Sequence, residues 1–199
     1  VTWSAATATP KAIWGSGIPL RGWRDNSLAE ARRHAKALLE SNRELLRLGG
    51  SELREEIGAR MHRVWSFKFQ QFYHGLEVVG GRADVRVHMT GRVPMFGSTA
   101  IQIPDDFFTT PTIDGEAAWL IAWQDLGEQP SLAPQPTMPA MPRLVIYADV
   151  HADSMQTPTL AYEIALSNVE ANGNGSIGRS YVDARTGKVI VFVSDKHEC

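Results

Sequence analysis

Hydrophobic and polar residues alternate most regularly between Phe67 and Phe96. Two sets of alternating residues each share one face of an extended chain: Phe67, Phe69, Gln71 and Tyr73, and then Ala83, Val85, Val87 and Met89. His74-Gly75, Gly80-Gly81 and Thr90-Gly91 interrupt this pattern with residues that are typical of turns. The period of two therefore predicts an antiparallel meander of strands with one buried face.

A helix is predicted immediately before this meander. Ser27 and Glu30 have the spacing of a capping box, in which each side chain pairs with a free backbone N–H at the start of a helix. Apolar residues then recur at helical spacing until Gly49-Gly50, which is typical of a helix end. We expect an amphipathic helix of about five turns here. A second, weaker helical pattern follows from Ser51 to Arg63.

The same order of elements occurs again in the second half of the chain. Asp114 is placed to cap a helix from Gly115 to Leu126, whose residues are apolar nearly all round, so we expect this helix to be largely buried. Strand patterns follow at four segments: Arg143–Val150, Thr159–Asn168, Arg179–Asp183 and Lys188–Val193. The last two predict a hairpin joined by residues 184–187.

These patterns predict an α+β protein with two lobes, each made of a helix and an antiparallel sheet, and with no parallel sheet. We expect residues 1–26 to form an irregular arm whose tryptophans, Trp3, Trp14 and Trp23, anchor it to the folded body. The first lobe is expected at 27–111 and the second at 112–195. The second lobe contains a proline-rich insert at 128–142 that cannot form regular secondary structure, and residues 196–199 form a tail.

Charge and hydropathy exclude several classes of partner. The formal net charge is −2 and the pI is about 6.3, so no global field favours nucleic acid or an anionic membrane. No apolar run approaches the roughly 20 residues that span a bilayer. The first ten residues also lack a basic start and an apolar core, although a signal peptide could have been removed upstream.

Residues that could perform catalysis are scattered along the chain. No two of the six histidines lie three to five residues apart, and the chain contains no H-E-x-x-H, G-x-S-x-G or phosphate-loop motif. We therefore expect no catalytic residues, no metal site and no cofactor. Cys199 is the single cysteine, and it is either inert or one half of a disulfide whose partner lies beyond this chain.

Two segments resemble a known family. Residues 69–81, which read FQQFYHGLEVVGG, resemble the strand-turn-strand signature of the propeptide (FTP) domain of fungalysin-like and thermolysin-like zinc proteases. Residues 160–164 and 181–190 resemble the PepSY domain that follows it in those precursors. The resemblance implies a cystatin-like lobe followed by a PepSY-like lobe. The signature residues are Gln71, Tyr73, Gly75, Gly80, Gly81, Tyr162, Asp183 and Gly187.

The resemblance implies that the chain is a non-catalytic prosegment of a secreted zinc metalloprotease. It would act as intramolecular chaperone and inhibitor of the catalytic domain downstream of Cys199, in cis or in trans. The segment expected to lead into the protease cleft comprises Val191, Phe192, Val193, Ser194, Asp195, Lys196 and His197. The alternative is a free-standing module that binds peptides or a protease by strand addition at an exposed sheet edge. An enzyme with a dispersed site is a third, less favoured hypothesis.

Overall fold

The structure is a computed structural model of the 199-residue chain and describes residues 1–126, 140–167 and 177–195. The chain divides into two compact units. The N-terminal unit comprises Val1–Phe107 with Ala148–Pro158, and the C-terminal unit comprises the described parts of Phe108–Tyr147 and Thr159–Cys199. These units do not test the predicted domain boundaries, which stay predictions.

The N-terminal unit is an antiparallel sheet with one helix. Its elements are β1 (Thr2–Trp3), β2 (Pro10–Pro19), α1 (Leu28–Ser41), β3 (Glu52–Met61), β4 (Val64–Tyr73), β5 (Leu76–His88) and β6 (Arg92–Ser98). The strands are paired in the order β1-β2-β6-β5-β4-β3, and each of these pairs is antiparallel.

The core of this unit lies between α1 and the sheet. Ala31, Ala35 and Leu39 form the buried face of α1 and belong to one cluster with Phe67 and Val85 of the sheet. Burying one large apolar side chain such as Leu39 contributes about 1.5–3 kcal/mol, so this face helps to hold α1 against the sheet.

The ends of α1 follow from side-chain caps. The Ser27 hydroxyl accepts a hydrogen bond from the Glu30 backbone N–H at 3.1 Å, which confirms the predicted start. The helix ends at Ser41, earlier than expected, because the Asn42 amide donates to the Leu38 carbonyl oxygen at 2.8 Å and the chain then turns.

The C-terminal unit is a second antiparallel sheet with one helix. Its elements are α2 (Gly115–Asp125), β7 (Arg143–Tyr147), β8 (Thr159–Ser167), β9 (Ile177–Asp183) and β10 (Val189–Ser194). The strand order within the unit is β7-β8-β9-β10, with antiparallel pairs.

Helix α2 begins as predicted, because the Asp114 carboxylate accepts a hydrogen bond from the Ala117 N–H at 2.8 Å. Its burial is only partial. Ala118, Trp119 and Ala122 are buried, whereas Leu120 is 37% exposed. An apolar sequence on every side therefore did not produce a helix that is covered on every side.

The meander predicted from Phe67 to Phe96 is confirmed as β4, β5 and β6. Its predicted inner face on β4 is also confirmed, since Phe67, Phe69, Gln71 and Tyr73 are each at most 2% exposed. The turn predicted at Gly80-Gly81 is wrong. These glycines lie inside β5, where residues 78–81 bulge opposite Gln71 of β4.

The predicted fold class is wrong. Strands make up 46% and helices 14% of the described residues, which contain two helices, so the protein is mostly sheet, and besides the antiparallel pairs given above the sheet includes parallel pairing. We expected two helix-plus-antiparallel lobes without a parallel sheet. The physical reason for part of the error is that two segments predicted as helix or irregular chain joined the sheet as β3 and β2.

The helix predicted at residues 51–63 is wrong, because this segment forms strand β3. Glu, Leu, Arg and Met favour helices locally, but pairing along the whole length of β4 satisfies the backbone of this segment instead. Gly58 was a signal against the helix. A Cβ at this position would lie 3.2 Å from the Phe67 ring and 2.3 Å from Glu55 Oε1.

The expected irregular arm contains β1 and β2. Strand β2 pairs with β6 on both sides of a bulge between Trp14 and Ile18, and Gly17 in this bulge has a φ of +96°. Trp3 and Trp14 are 59% and 57% exposed, so they do not anchor the segment. Trp23 does, because it packs against the core.

Two predicted features lie wholly or largely outside the described residues. They are the proline-rich insert at 128–142 and the tail at 196–199 with Cys199.

Candidate functional site

Strand β10 is an uncharged edge of the C-terminal unit. Its sequence, VIVFVS, contains no ionisable side chain, and within the described part of the chain it pairs only with β9. Ile190 and Val193 are 37% and 45% exposed. Exposed apolar side chains on an edge strand are typical of a surface that pairs with another chain.

The hydrogen-bond pattern shows which backbone groups of β10 face outward. Asp195 N–H donates to the Ile177 carbonyl oxygen at 2.8 Å. Because hydrogen-bonded and non-hydrogen-bonded pairs alternate in an antiparallel ladder, Val193 opposite Arg179 is also a hydrogen-bonded pair, and Phe192 is not. The Phe192 N–H and C=O therefore point away from β9.

The turn from β9 to β10 is held by signature residues. Asp183 Oδ1 accepts hydrogen bonds from the Arg185 and Thr186 N–H groups at 2.8 and 2.9 Å. Gly187 has a φ of +73°, which favours glycine, and a Cβ there would lie 3.2 Å from Ile121 of α2. Asp183 and Gly187 thus position β10.

Two tyrosines stabilise the strands behind β10. The hydroxyl of Tyr162, on β8, donates to the Ile113 carbonyl oxygen at 3.1 Å, and burial raises the Tyr162 pKa. On β9, burial raises the pKa of Tyr181 to about 12, and the neighbouring Glu163 carboxylate adds to the shift. Both rings therefore stay neutral at physiological pH.

Gln71 is the centre of a buried network in the N-terminal unit. Its amide nitrogen donates to Ser51 Oγ at 2.8 Å and to the Ile101 carbonyl oxygen at 2.7 Å, while its Oε1 accepts from the Ile101 N–H at 2.9 Å. Every polar atom of this fully buried side chain is thus paired. Gln71 ties β4 to the residue before β3 and to the segment after β6.

The other signature residues of this unit shape the backbone. The Tyr73 hydroxyl donates to the carbonyl oxygens of Pro104 and Asp105 at 3.2 and 3.3 Å. Gly75 and Gly80 have φ values of +84° and +73°, and a Cβ on Gly81 would lie 2.4 Å from Gln71 Oε1. Together with Gln71, these residues account for the β4–β5 hairpin and its bulge.

The predicted protease-contacting segment is only partly a tail. Val191, Phe192, Val193 and Ser194 lie in β10, and Asp195 is tied to Ile177. Lys196 and His197 lie outside the described residues. Contact of this segment with a protease stays a prediction.

No metal-binding group of three or more His, Cys, Asp or Glu side chains occurs within residues 1–126, 140–167 and 177–195. In the same ranges, neither helix combines the length and apolar character needed to cross a membrane.

Sequence reasoning missed two features of the surface. It placed the last strand but did not identify it as an edge, although the uncharged run from Val189 to Val193 was a usable signal. It also missed a cavity beside Arg47, whose lining comes from four separate parts of the chain and leaves no local pattern.

Comparison with known proteins gives a structural neighbour but no sequence match. No known protein family matches the sequence, and no curated protein matches it. The C-terminal domain of Bacillus megaterium YpeB is similar at 16% identity and a TM-score of 0.39, covering 94% of this chain and 73% of that one. This similarity does not bear on the FTP-like and PepSY-like motifs or on the protease link. A similarity at this TM-score does not identify a function.

Proposed function

We propose that the chain is a non-catalytic prosegment module that binds, helps to fold and inhibits a secreted zinc metalloprotease. The observation that supports this proposal most is the uncharged edge of β10, with the outward backbone of Phe192 and the exposed side chains of Ile190 and Val193. The order of the FTP-like and PepSY-like motifs supports the choice of a metalloprotease as partner.

Binding would begin by strand addition. A strand of the catalytic domain, or its substrate-binding edge, would hydrogen-bond to the outward groups of β10, and Ile190 and Val193 would lose exposed apolar area on contact. Main-chain pairing of this kind supplies affinity without any catalytic side chain. Residues after Ser194 would then pass into the cleft and exclude substrate.

The chaperone role follows from the same contact. A module that binds the native protease but not its unfolded chain stabilises the native state by mass action. At a module concentration 100 times Kd, this amounts to about 2.7 kcal/mol. A tethered prosegment reaches such effective concentrations readily, since short flexible linkers give millimolar values.

A free-standing module that captures extended peptides is the second candidate. The same edge of β10 favours it, because strand addition does not require the partner to be a protease. The two candidates differ in the sequence expected downstream of Cys199. A catalytic domain with an H-E-x-x-H helix in the continuing reading frame is expected only for the prosegment.

The test is a titration of this chain against that catalytic domain. Peptide hydrolysis should fall in a saturable manner, and the yield of active protease after dilution from denaturant should rise. Phe192→Pro, which removes the outward N–H of β10, is the test variant. Phe192→Ala, which keeps that N–H, is its matched control. Unchanged hydrolysis together with an unchanged refolding yield would exclude the prosegment role.

A further inference from the structure

A cavity of about 370 Å³ opens on the N-terminal unit, well away in sequence from β10. Its lining residues are Ala6, Thr7, Arg47, Ile101, Gln102, Pro104, Met155, Gln156, Thr157 and Pro158. The volume lies within the range of about 300–1,000 Å³ that is usual for small-molecule sites. The proposed prosegment function makes no use of this cavity.

Arg47 is the charged group of the cavity. Its side chain is half-buried, and its backbone has a φ of +52°, which is uncommon for a residue other than glycine. The turn that fixes this conformation is closed by hydrogen bonds from Arg47 N–H to Glu44 O and from Leu48 N–H to Arg43 O, both at 3.0 Å. The position of the guanidinium is therefore set by the backbone as well as by side-chain contacts.

Two contacts orient the guanidinium toward the cavity. Nε donates to Gln102 Oε1 at 2.9 Å, and Nη1 lies 3.7 Å from Met155 Sδ, which lines the cavity. Within the described part of the chain, Arg47 Nη2 has no protein acceptor. A half-buried guanidinium thus keeps donors available beside an open space.

The charge balance of the cavity favours an anion. Of the described residues, no Asp or Glu lines it, so the Arg47 charge is not neutralised from within. A guanidinium prefers carboxylate or phosphate because two parallel N–H donors match two oxygens. The apolar side chains of Ile101, Pro104 and Pro158 would contact the body of such a ligand.

A neighbouring cavity of about 400 Å³ does not share this character. It is also lined by Arg47 and Gln102, but Glu44 lines it as well. Arg43 lines it too, and this guanidinium already donates to the carbonyl oxygens of Gly49 and Ser51 at 2.6 and 2.8 Å. Of these two cavities, only the first combines the available donors of Arg47 with described lining residues that include no carboxylate.

We propose that this cavity binds a carboxylate that carries an apolar body, with Arg47 as its bidentate partner and Gln102 as the residue that positions Arg47. The site is independent of β10 and goes beyond the proposed prosegment function. The carboxylate could belong to a small organic acid or to the C-terminus of a peptide, since both present the same group to Arg47.

The experiment is an NMR titration of the ¹⁵N-labelled full chain with hippurate, which joins a carboxylate to an aromatic ring. Its neutral amide, N-benzoylglycinamide, is the matched probe. We expect saturable shifts of the Gln102, Gln156 and Thr157 backbone amides with hippurate and not with the amide. A dipeptide ending in Phe, with a free or amidated C-terminus, then tells a peptide source from a small acid.

Variants test whether Arg47 supplies the positive charge that binds hippurate. Arg47→Gln should weaken hippurate binding at least about tenfold, and Arg47→Lys should fall between this variant and the wild type, because lysine keeps the charge but not the bidentate geometry. Arg54→Gln is the control, since Arg54 is an exposed residue of β3 that pairs with Glu52. Its affinity for hippurate should equal that of the wild type.

Four outcomes would overturn the proposal. Three of them are the absence of saturable shifts at about 20 mM hippurate, equal binding of the neutral amide, and unchanged affinity in Arg47→Gln. Inorganic phosphate binding as tightly as hippurate would also overturn it, because the apolar body would then contribute nothing. If Arg47→Gln does not fold, the comparison of hippurate with its amide on the wild type still decides.

Discussion

Strands β3 and β10 are both sheet edges with a bulge, and they differ in charge. Five of the ten residues of β3 are charged, and Glu56 is an extra residue in a bulge opposite β4. Glu55 also pairs with Arg32 of α1 at 2.8 Å, and Glu56 with Lys68 of β4 at 3.1 Å. By contrast, all six residues of β10 are uncharged.

The difference indicates which edge is available to a partner. Charges and bulges on an edge strand oppose pairing with another chain, because a new strand would have to bury or displace them. Both strands contain a bulge, at Glu56 and at Ile190, so charge is the feature that distinguishes them, and only β3 is charged. We therefore propose β10, rather than the charged β3, as the edge that binds a partner.

The largest effect is expected from removing the buried hydrogen bonds of Gln71, which connect β4 to the residue before β3. Gln71→Leu keeps the size of the side chain but leaves the buried Ile101 N–H and C=O and the Ser51 hydroxyl without their partner. Unsatisfied buried groups of this kind should cost about 2–4 kcal/mol in the free energy of unfolding, measured by urea denaturation.

Gln124→Leu, at an exposed position of α2, is the control and should stay within about 0.5 kcal/mol of the wild type. A loss below about 1 kcal/mol in Gln71→Leu would mean that the network does not hold β3 in place.

A smaller effect is expected on stability at alkaline pH, in the C-terminal unit that contains β10. Burial raises the folded-state pKa of Tyr181 to about 12 from an ordinary value of 10.0. Because the unfolded chain ionises first, stability should fall as pH rises above 10 and continue to fall until about 12. Tyr181→Phe should reduce this fall, measured by urea midpoints across that range.

Gln124→Leu, which removes no ionisable group, is the control and should keep the slope of the wild type. An unchanged alkaline slope in Tyr181→Phe would show that burial of this ring does not couple to folding.

The smallest effect is expected on stability at acid pH, in the N-terminal unit that contains β3. A hydrogen bond from Arg33 is the main cause that lowers the Glu30 pKa from 4.5 to about 2. A lowered carboxyl pKa stabilises the fold above 4.5, and this stability is lost as pH falls toward 2. Glu30→Gln should flatten the acid slope of the urea midpoint, whereas Gln124→Leu, which removes no ionisable group, should leave it. Equal slopes in both variants would contradict the assignment.

Much of the scaffold could be predicted because its signals are local. The alternation of Phe67 and Phe69, the Ser27 cap and the turn from Asp183 to Gly187 each depend on residues close in sequence. Strand β3 could not be predicted in this way. Its residues favour a helix, and pairing with β4 overrides that preference.

The functional surfaces were less predictable, because they depend on which distant segments become neighbours. The strand pattern of Lys188–Val193 was visible, but an edge is defined by the pairing of the other strands. The Arg47 cavity combines residues from the start of the chain, the connection after α1 and two later loops. No pattern within one segment indicates such a site.

The most direct test of the account compares one added charge on each edge. Val193→Lys and Ile57→Lys alter side chains of similar exposure, 45% and 48%, on β10 and β3. In a titration of the proposed downstream protease domain, Val193→Lys should weaken inhibition by at least about tenfold, and Ile57→Lys by less than about twofold. Equal inhibition by both variants, or a greater loss in Ile57→Lys, would contradict the assignment of β10 as the binding edge.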